Sequence, residues 1–153
     1  KMTPALLKKL GVENKLDFVD KFYDKIEDGS LNVRDCAKML FLAVIEEDEV
    51  AAEILRDIAV SYANGVNCMI EEMKFDHEED INIVFAGSVF VKSEHPLLID
   101  TIKEKVRADN PAYNFKYTRL NVPPAAGAVI WALNTLNEKK VYYDKVCAQF
   151  RNE

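Results

Sequence analysis

The stretch INIVFAGSVFVKSEHPLLIDTIKEKV, residues 81–106, decides the fold class of this chain. Its first part is almost entirely apolar, Gly87 and Ser88 then interrupt it, and a helical pattern begins after Pro96. A short apolar run that stops at a glycine predicts a strand buried on both faces, followed by a turn and a helix. The positions of this helix that we expect to face inward are Leu97, Leu98, Ile99, Ile102 and Val106.

Helical patterns fill the chain before this stretch. The longest predicted helix runs from Asp48 to Lys74, and its large apolar residues recur at helical spacing. We expect that stripe to face the core; it consists of Val50, Ile54, Ile58, Tyr62, Val66, Met69, Ile70 and Met73. After the stretch, residues 115–120 alternate like a second strand, and a helix follows the pair Pro123–Pro124. The sequence therefore predicts an α/β chain, with a mainly helical part at residues 1–75 and a β-α-β-α part at residues 76–153.

Composition excludes several classes of function. The chain has 153 residues, a formal net charge of −6 and a pI of about 5.1, and it has no basic cluster that could neutralise phosphates. We therefore predict no nucleic-acid partner. The longest apolar run, residues 39–45, is too short to cross a membrane. Three widely spaced cysteines, Cys36, Cys68 and Cys147, are typical of reduced, buried thiols, so we predict a cytoplasmic protein.

Gly87 and Ser88 leave two interpretations open. A glycine at the end of a strand permits a tight turn, and it also permits a ligand to approach the backbone closely. From this dipeptide alone, the turn is the better interpretation. A second choice concerns Lys92, Ser93 and His95, which could hold a phosphate at a helix start. We favour the alternative, in which Ser93 or Glu94 caps the helix and Lys92 lies in water.

The sequence contains none of the familiar catalytic or metal-binding motifs. The two histidines, His77 and His95, have no partner at a metal-ligand spacing, so we predict no metal site. Phosphate loops of the GxxxxGK and GxGxxG types and a nucleophile elbow are also missing. The residues alone therefore predict an α/β domain without a self-contained active site, and they leave open whether the strand end at Gly87 is a ligand-binding edge.

Three segments, in their order along the chain, carry a resemblance to a known family. They are Glu47-Asp48-Glu49-Val50-Ala51, then Gly87-Ser88-Val89-Phe90, then Pro124-Ala125-Ala126-Gly127-Ala128. Over about residues 33–136, the chain resembles the carboxyl-terminal domain of one ATPase family. This family includes the N-acetylglucosamine kinases and the activators of benzoyl-CoA reductase and 2-hydroxyacyl-CoA dehydratase. This family belongs to the sugar-kinase/actin superfamily.

The resemblance implies a fold of ribonuclease-H type, with Ile81–Ala86 and Phe115–Leu120 as strands of its sheet. It further implies that Gly87, Ser88 and Val89 lie against the adenine and ribose of ATP. Ser88 departs from the pattern, because the family typically has a second glycine at this position.

Motifs of the family's other lobe are missing from this chain. These are the Asp-Gly-Gly-x-Thr phosphate turn, the second phosphate motif and the catalytic aspartate. With the opening KMTP, their absence leads us to expect the carboxyl-terminal half of a longer kinase. The expected partners are the amino-terminal lobe, which would bring Mg²⁺ and the catalytic base, an amino-sugar substrate and a second copy of the chain in a homodimer. No catalytic residue is assigned here, and we expect the chain alone to be inactive.

Two alternatives stay open beside the kinase. One is a non-catalytic interaction module of the same fold. The other is half of an ATPase activator of a CoA-ester reductase or dehydratase, which holds an iron–sulfur cluster through cysteines of a glycine-rich loop. Because no cysteine of this chain lies in such a loop, the kinase branch is favoured.

Overall fold

The structure, a computed structural model, describes residues 2–13, 15–77, 79–137 and 143–150. The chain is mixed α/β, mostly helical, with a sheet of two parallel strands, which confirms the predicted α/β class. The helices are α1 (Met2–Leu10), α2 (Phe18–Glu27), α3 (Val33–Ile45), α4 (Glu49–Met73), α5 (Ser88–Val91), α6 (Leu97–Asp109), α7 (Pro124–Asn137) and α8 (Tyr143–Phe150), with a 3₁₀ turn at Lys15–Asp17. The strands are β1 (Asp80–Phe85) and β2 (Asn114–Arg119), each displaced by one residue from its predicted bounds.

The internal contacts of the chain divide it into two compact units. Unit 1 comprises Lys1–Glu79 and Ser93–Asn114, and it contains α1 to α4 together with α6. Unit 2 comprises Asp80–Lys92 and Phe115–Glu153, and it contains β1, α5, nearly all of β2, α7 and α8. The first three helices of unit 1 enclose a small core of Leu6, Leu10, Val12 and Leu31, against which Phe18, Phe22, Ile26, Cys36 and Met39 pack.

Helix α4 is bounded by the residues that the sequence indicates. Oδ1 of Asp48 accepts a hydrogen bond from the backbone N–H of Ala51 at 3.0 Å, which satisfies a donor that the first turn leaves unpaired. Lys74 ends the helix in the left-handed region, with φ at 49°, and its N–H donates to the carbonyl oxygen of Ile70. The prediction of a helix between Asp48 and Lys74 is confirmed.

The face of α4 that is buried is not the one predicted. Its buried residues are Ala51, Leu55, Ala59, Ala63 and Ile70, and α4 packs mainly against α6. Three of these five are alanines, so the two helices can approach closely, and the larger side chains of α6 fill the contact. Those side chains are Leu98, Ile99, Ile102 and Val106, in agreement with the prediction for that helix, while Leu97 is half-buried.

The prediction that this stripe of large residues on α4 faces the core is therefore wrong. Its exposed members are Val50, Ile54, Ile58, Tyr62, Met69 and Met73, and only Ile70 is buried. The error has a physical cause: each large residue of the first three turns is followed directly by a smaller or equally apolar one, so two apolar stripes run side by side. Helix packing selected the stripe of small side chains, because it brings the two backbones closer together.

Unit 2 is built around the parallel pair β1 and β2. Ile81 and Phe85 of β1 are buried, but Val84 between them is 55% exposed, so the prediction of a strand buried on both faces is wrong. Ala126 and Ile130 are the buried residues of α7. The apolar run around Trp131 predicts a core position for this side chain, and this prediction is wrong, because Trp131 is 74% exposed. Among the described residues, no helix combines the length and the apolar character that a membrane span requires.

Candidate functional site at the end of the first strand

Gly87 follows the first strand directly and takes a backbone conformation that favours glycine. Its φ is 92° and its ψ is 159°, a region that residues with a Cβ atom enter only under strain. A Cβ atom built at this position would meet no atom within 4 Å, so the space beside the backbone is open. Of the two interpretations of Gly87, the turn is therefore supported directly by the backbone angles, and the open space is compatible with a ligand.

Ser88 begins the short helix α5 and has an ordinary, negative φ, because the non-glycine residues with positive φ are Glu47 and Lys74. A serine at this position therefore causes no backbone strain. Ser88 is exposed, and so is Val89, at 38%. The three residues proposed for adenosine binding thus form one continuous exposed segment at the carboxyl end of β1.

Backbone hydrogen bonds hold this segment in place. The carbonyl oxygen of Gly87 accepts from the N–H of Phe90 at 3.1 Å and from the N–H of Val91 at 2.9 Å. The carbonyl oxygen of Val91 in turn accepts from Nη2 of Arg119 at 2.7 Å, which ties α5 to the end of β2. Leu120 donates its N–H to the carbonyl oxygen of Phe85 at 2.9 Å, so the chain ends leaving both strands are fixed to each other.

Three aromatic side chains pack together next to this turn. The ring of Phe85 lies 5.4 Å from that of Phe90 and 6.2 Å from that of Tyr117, centroid to centroid, and it is nearly parallel to the tyrosine ring. Such pairs stabilise a fixed arrangement beyond simple burial. Sequence reasoning missed Tyr117 and Arg119, although the alternation of β2 placed both near a strand end and could have pointed to them.

The residues between α5 and α6 form hydrogen bonds with one another and with the first residue of α6. Nδ1 of His95 accepts a hydrogen bond from the N–H of Leu97 at 3.2 Å, and Oγ of Ser93 donates to the carbonyl oxygen of His95 at 2.9 Å. The side chain that accepts from the first turn of α6 is thus His95, whereas the sequence favours Ser93 or Glu94 for this role. Lys92 ends α5 in unit 2 and is exposed.

The three cysteines differ in burial, and none belongs to a metal-binding cluster among the described residues. Cys36 packs against the core of α1 to α3 and Cys147 is half-buried, whereas Cys68 is exposed, so the expectation of three buried thiols is wrong for Cys68. Within the described part of the chain, no three His, Cys, Asp or Glu side chains lie together in a way that could hold a metal ion.

Comparisons of the chain with protein-family models, with curated proteins and with solved structures gave no match.

Proposed function

We propose that this chain is the adenosine-binding half of an ATP-dependent kinase that phosphorylates an amino sugar, with the ribonuclease-H-like fold of the sugar-kinase superfamily. The observation that supports the proposal is the position of Gly87, an exposed residue with open space beside it that follows the carboxyl end of a parallel strand. In open α/β sheets, ligands bind at this edge, where the backbone is accessible.

Each of the three residues has a role in the proposal. Gly87 offers its bare backbone to the flat face of adenine. Ser88 follows with an exposed side chain whose hydroxyl can donate to, or accept from, the ribose. Val89, at 38% exposure, supplies apolar contact to the purine. The bond from Arg119 to Val91 fixes the segment before the ligand arrives, so little entropy is lost on binding.

The residues present fit the adenosine part of ATP and leave its phosphates to another lobe. Bound Mg²⁺ would neutralise the charge that develops on the transferred phosphoryl group. In the proposal, the amino-terminal lobe supplies the phosphate loops and the base, and closure of the two lobes excludes water from the sugar hydroxyl. This chain contributes orientation of the nucleotide, so alone it should not phosphorylate N-acetylglucosamine.

Calorimetric titration with ATP and Mg²⁺ tests the proposal. Ser88→Trp is the blocking variant, because Ser88 is exposed and has an ordinary φ, so the larger side chain does not disturb the backbone. Ser61→Trp, on an exposed position of α4, introduces the same bulk elsewhere. We expect Ser88→Trp to abolish binding and Ser61→Trp to retain it. Equal binding by both variants would remove adenosine from this segment.

A second function, a non-catalytic interaction module, is favoured by one specific observation. The exposed stripe of α4 defined above includes Val50 at 65% and Met73 at 65% exposure, and such surfaces commonly mark protein contacts. The two functions separate in the same titration, because a pure interaction module has no affinity for ATP.

A further inference from the structure

A cleft of about 670 Å³ opens in unit 1, where the last turns of α4 and of α6 lie side by side. Helix α4 contributes Asn67, Ile70 and Glu71 to its wall, and the end of α6 contributes Asp109 and Asn110. This volume matches that of sites for small organic ligands. The cleft lies wholly within unit 1 and includes none of the residues proposed above for adenosine.

The amide side chains of the cleft are already oriented by one another. Nδ2 of Asn110 donates to Oδ1 of Asn67 at 2.8 Å, and to the carbonyl oxygen of Val106 at 3.0 Å. Nδ2 of Asn67 donates to Oδ2 of Asp109 at 2.5 Å, and Nζ of Lys105 donates to the same oxygen. These bonds use Oδ2 of Asp109 and leave its Oδ1 as an acceptor that is held in a fixed position.

A stacked pair of aromatic side chains lines the same cleft. The rings of His77 and Tyr113 stack with their centroids 4.4 Å apart and their planes at 29°. The hydroxyl of Tyr113 donates to the carbonyl oxygen of Phe75 at 3.4 Å, which fixes the ring. The left-handed residue Lys74 turns the chain after α4, and the two aromatic residues Phe75 and His77 follow it along the wall of the cleft.

The charges around the cleft balance. Glu71 and Asp109 are its carboxylates, while Lys74 lines it and Lys105 pairs with Asp109. A ligand with a strong net charge would meet both signs of charge around this cleft, so attraction to one sign would be offset by repulsion from the other. A neutral ligand with many hydroxyl groups loses nothing in this way, since each hydroxyl both donates and accepts.

We propose that this cleft binds an uncharged, polyhydroxylated six-membered ring, the chemistry of a hexose. The ring's C–H face would pack against the stacked pair of His77 and Tyr113, on a ring face that the stacking leaves uncovered. Its hydroxyls would donate to the carboxylates of Glu71 and Asp109 and accept from the ammonium group of Lys74. The inference stands on the residues of unit 1, and it rests on the proposed function only in the choice of N-acetylglucosamine as the first probe.

The two histidines provide an internal control for the test. His77 lines the cleft, whereas His95 caps the start of α6. We would titrate the whole chain, ¹⁵N-labelled at histidine and without ATP, with N-acetylglucosamine, glucose, inorganic phosphate and ethanolamine in turn. The imidazole signals of His77 should shift saturably with a sugar, and those of His95 should stay in place. Since ATP is left out, failure of the nucleotide proposal does not affect the result.

Neighbouring glutamates supply the matched variants. Glu71→Gln should weaken sugar binding about tenfold, because a hydrogen bond to a charged acceptor becomes one to a neutral acceptor. Glu72→Gln changes the same charge on an exposed position of α4 outside the cleft, and should bind as the original chain does. The proposal is overturned by an unmoved His77 signal with both sugars, by stronger binding of phosphate or ethanolamine, or by equal affinity of the two variants.

Discussion

The side-chain amide of Asn110 donates to the side-chain oxygen of Asn67 at 2.8 Å, although the two residues are 43 apart in sequence. The bond joins the last two turns of α4 to the end of α6. Both residues belong to one network, since Asn67 also donates to Asp109, which accepts from Lys105. The network therefore adds polar contacts to the α4–α6 interface at the end where Ile70 and Val106 are also buried.

Asn67→Ala should lower the free energy of unfolding by about 1 kcal/mol, because Asn110 and Asp109 each lose a hydrogen-bond partner. Asn64→Ala, on an exposed position of the same helix, makes the same chemical change, so it controls for the gain in helix propensity. Urea unfolding of both variants measures the difference. Equal stability of the two variants would show that the network contributes nothing.

Gly87→Ala should destabilise the protein by about 1–3 kcal/mol, because its φ of 92° strains any residue with a Cβ atom. The open space around that position excludes a steric clash as the cause. Gly65→Ala is the matched control, since Gly65 lies inside α4 with helical geometry and open space, and should stabilise the chain by about 0.5–1 kcal/mol. Thermal unfolding curves should move in opposite directions for the two substitutions.

Two adjacent residues of α4 test which face of the helix is buried. Leu55 is 1% exposed and Ile54 is 41% exposed. Leu55→Ala should therefore cost about 2–5 kcal/mol through the cavity it leaves, while Ile54→Ala should change stability by no more than about 0.5 kcal/mol. Chemical denaturation measures both variants. A larger loss for Ile54→Ala would restore the stripe predicted from the sequence.

The ion pair between Lys9 and Asp35 gives a prediction on pH. Nζ of Lys9 lies 2.7 Å from Oδ2 of Asp35, and its hydrogen bond and charge lower the pKa of Asp35, with a smaller effect from Lys38. A lowered pKa means that the pair stabilises the fold above the ordinary Asp value of about 3.9, and that this contribution disappears as the pH falls through the lowered pKa. Lys9→Met should return the pKa of Asp35 toward its ordinary value, more than Lys38→Met does. Carboxyl-carbon NMR titration of Asp35 reports both shifts, and a larger change for Lys38→Met would contradict the assignment.

The sequence predicted the elements well where local signals decide them. The predicted helix began at Asp48, which is the N-cap of α4, and the apolar run before Gly87 predicted β1. Local signals did not decide which face of α4 is buried, because Ile54 and Leu55 are equally apolar and only the contact with α6 distinguishes them. The class of the fold was therefore predictable, whereas the orientation of its longest helix was not.

The candidate sites divide in the same way. Gly87 was recognisable from its position after a strand, although its positive φ required the structure. The cleft was not predictable, because Asn67 and Asn110 come from separate helices and no sequence pattern relates residues at that separation. Both proposed sites are therefore testable by substitution at single, exposed positions.

The most direct test of the central claim, adenosine binding at the end of β1, is an NMR titration of the ¹⁵N-labelled chain with ATP and Mg²⁺. The account predicts saturable shifts of the backbone amide signals of Gly87, Ser88 and Val89, absent from the Ser88→Trp variant. Titration with GTP should give weaker shifts of the same signals if the segment recognises adenine and not purines in general. Amide signals of these three residues that stay unmoved at millimolar ATP, or shifts confined to other residues, would contradict the claim.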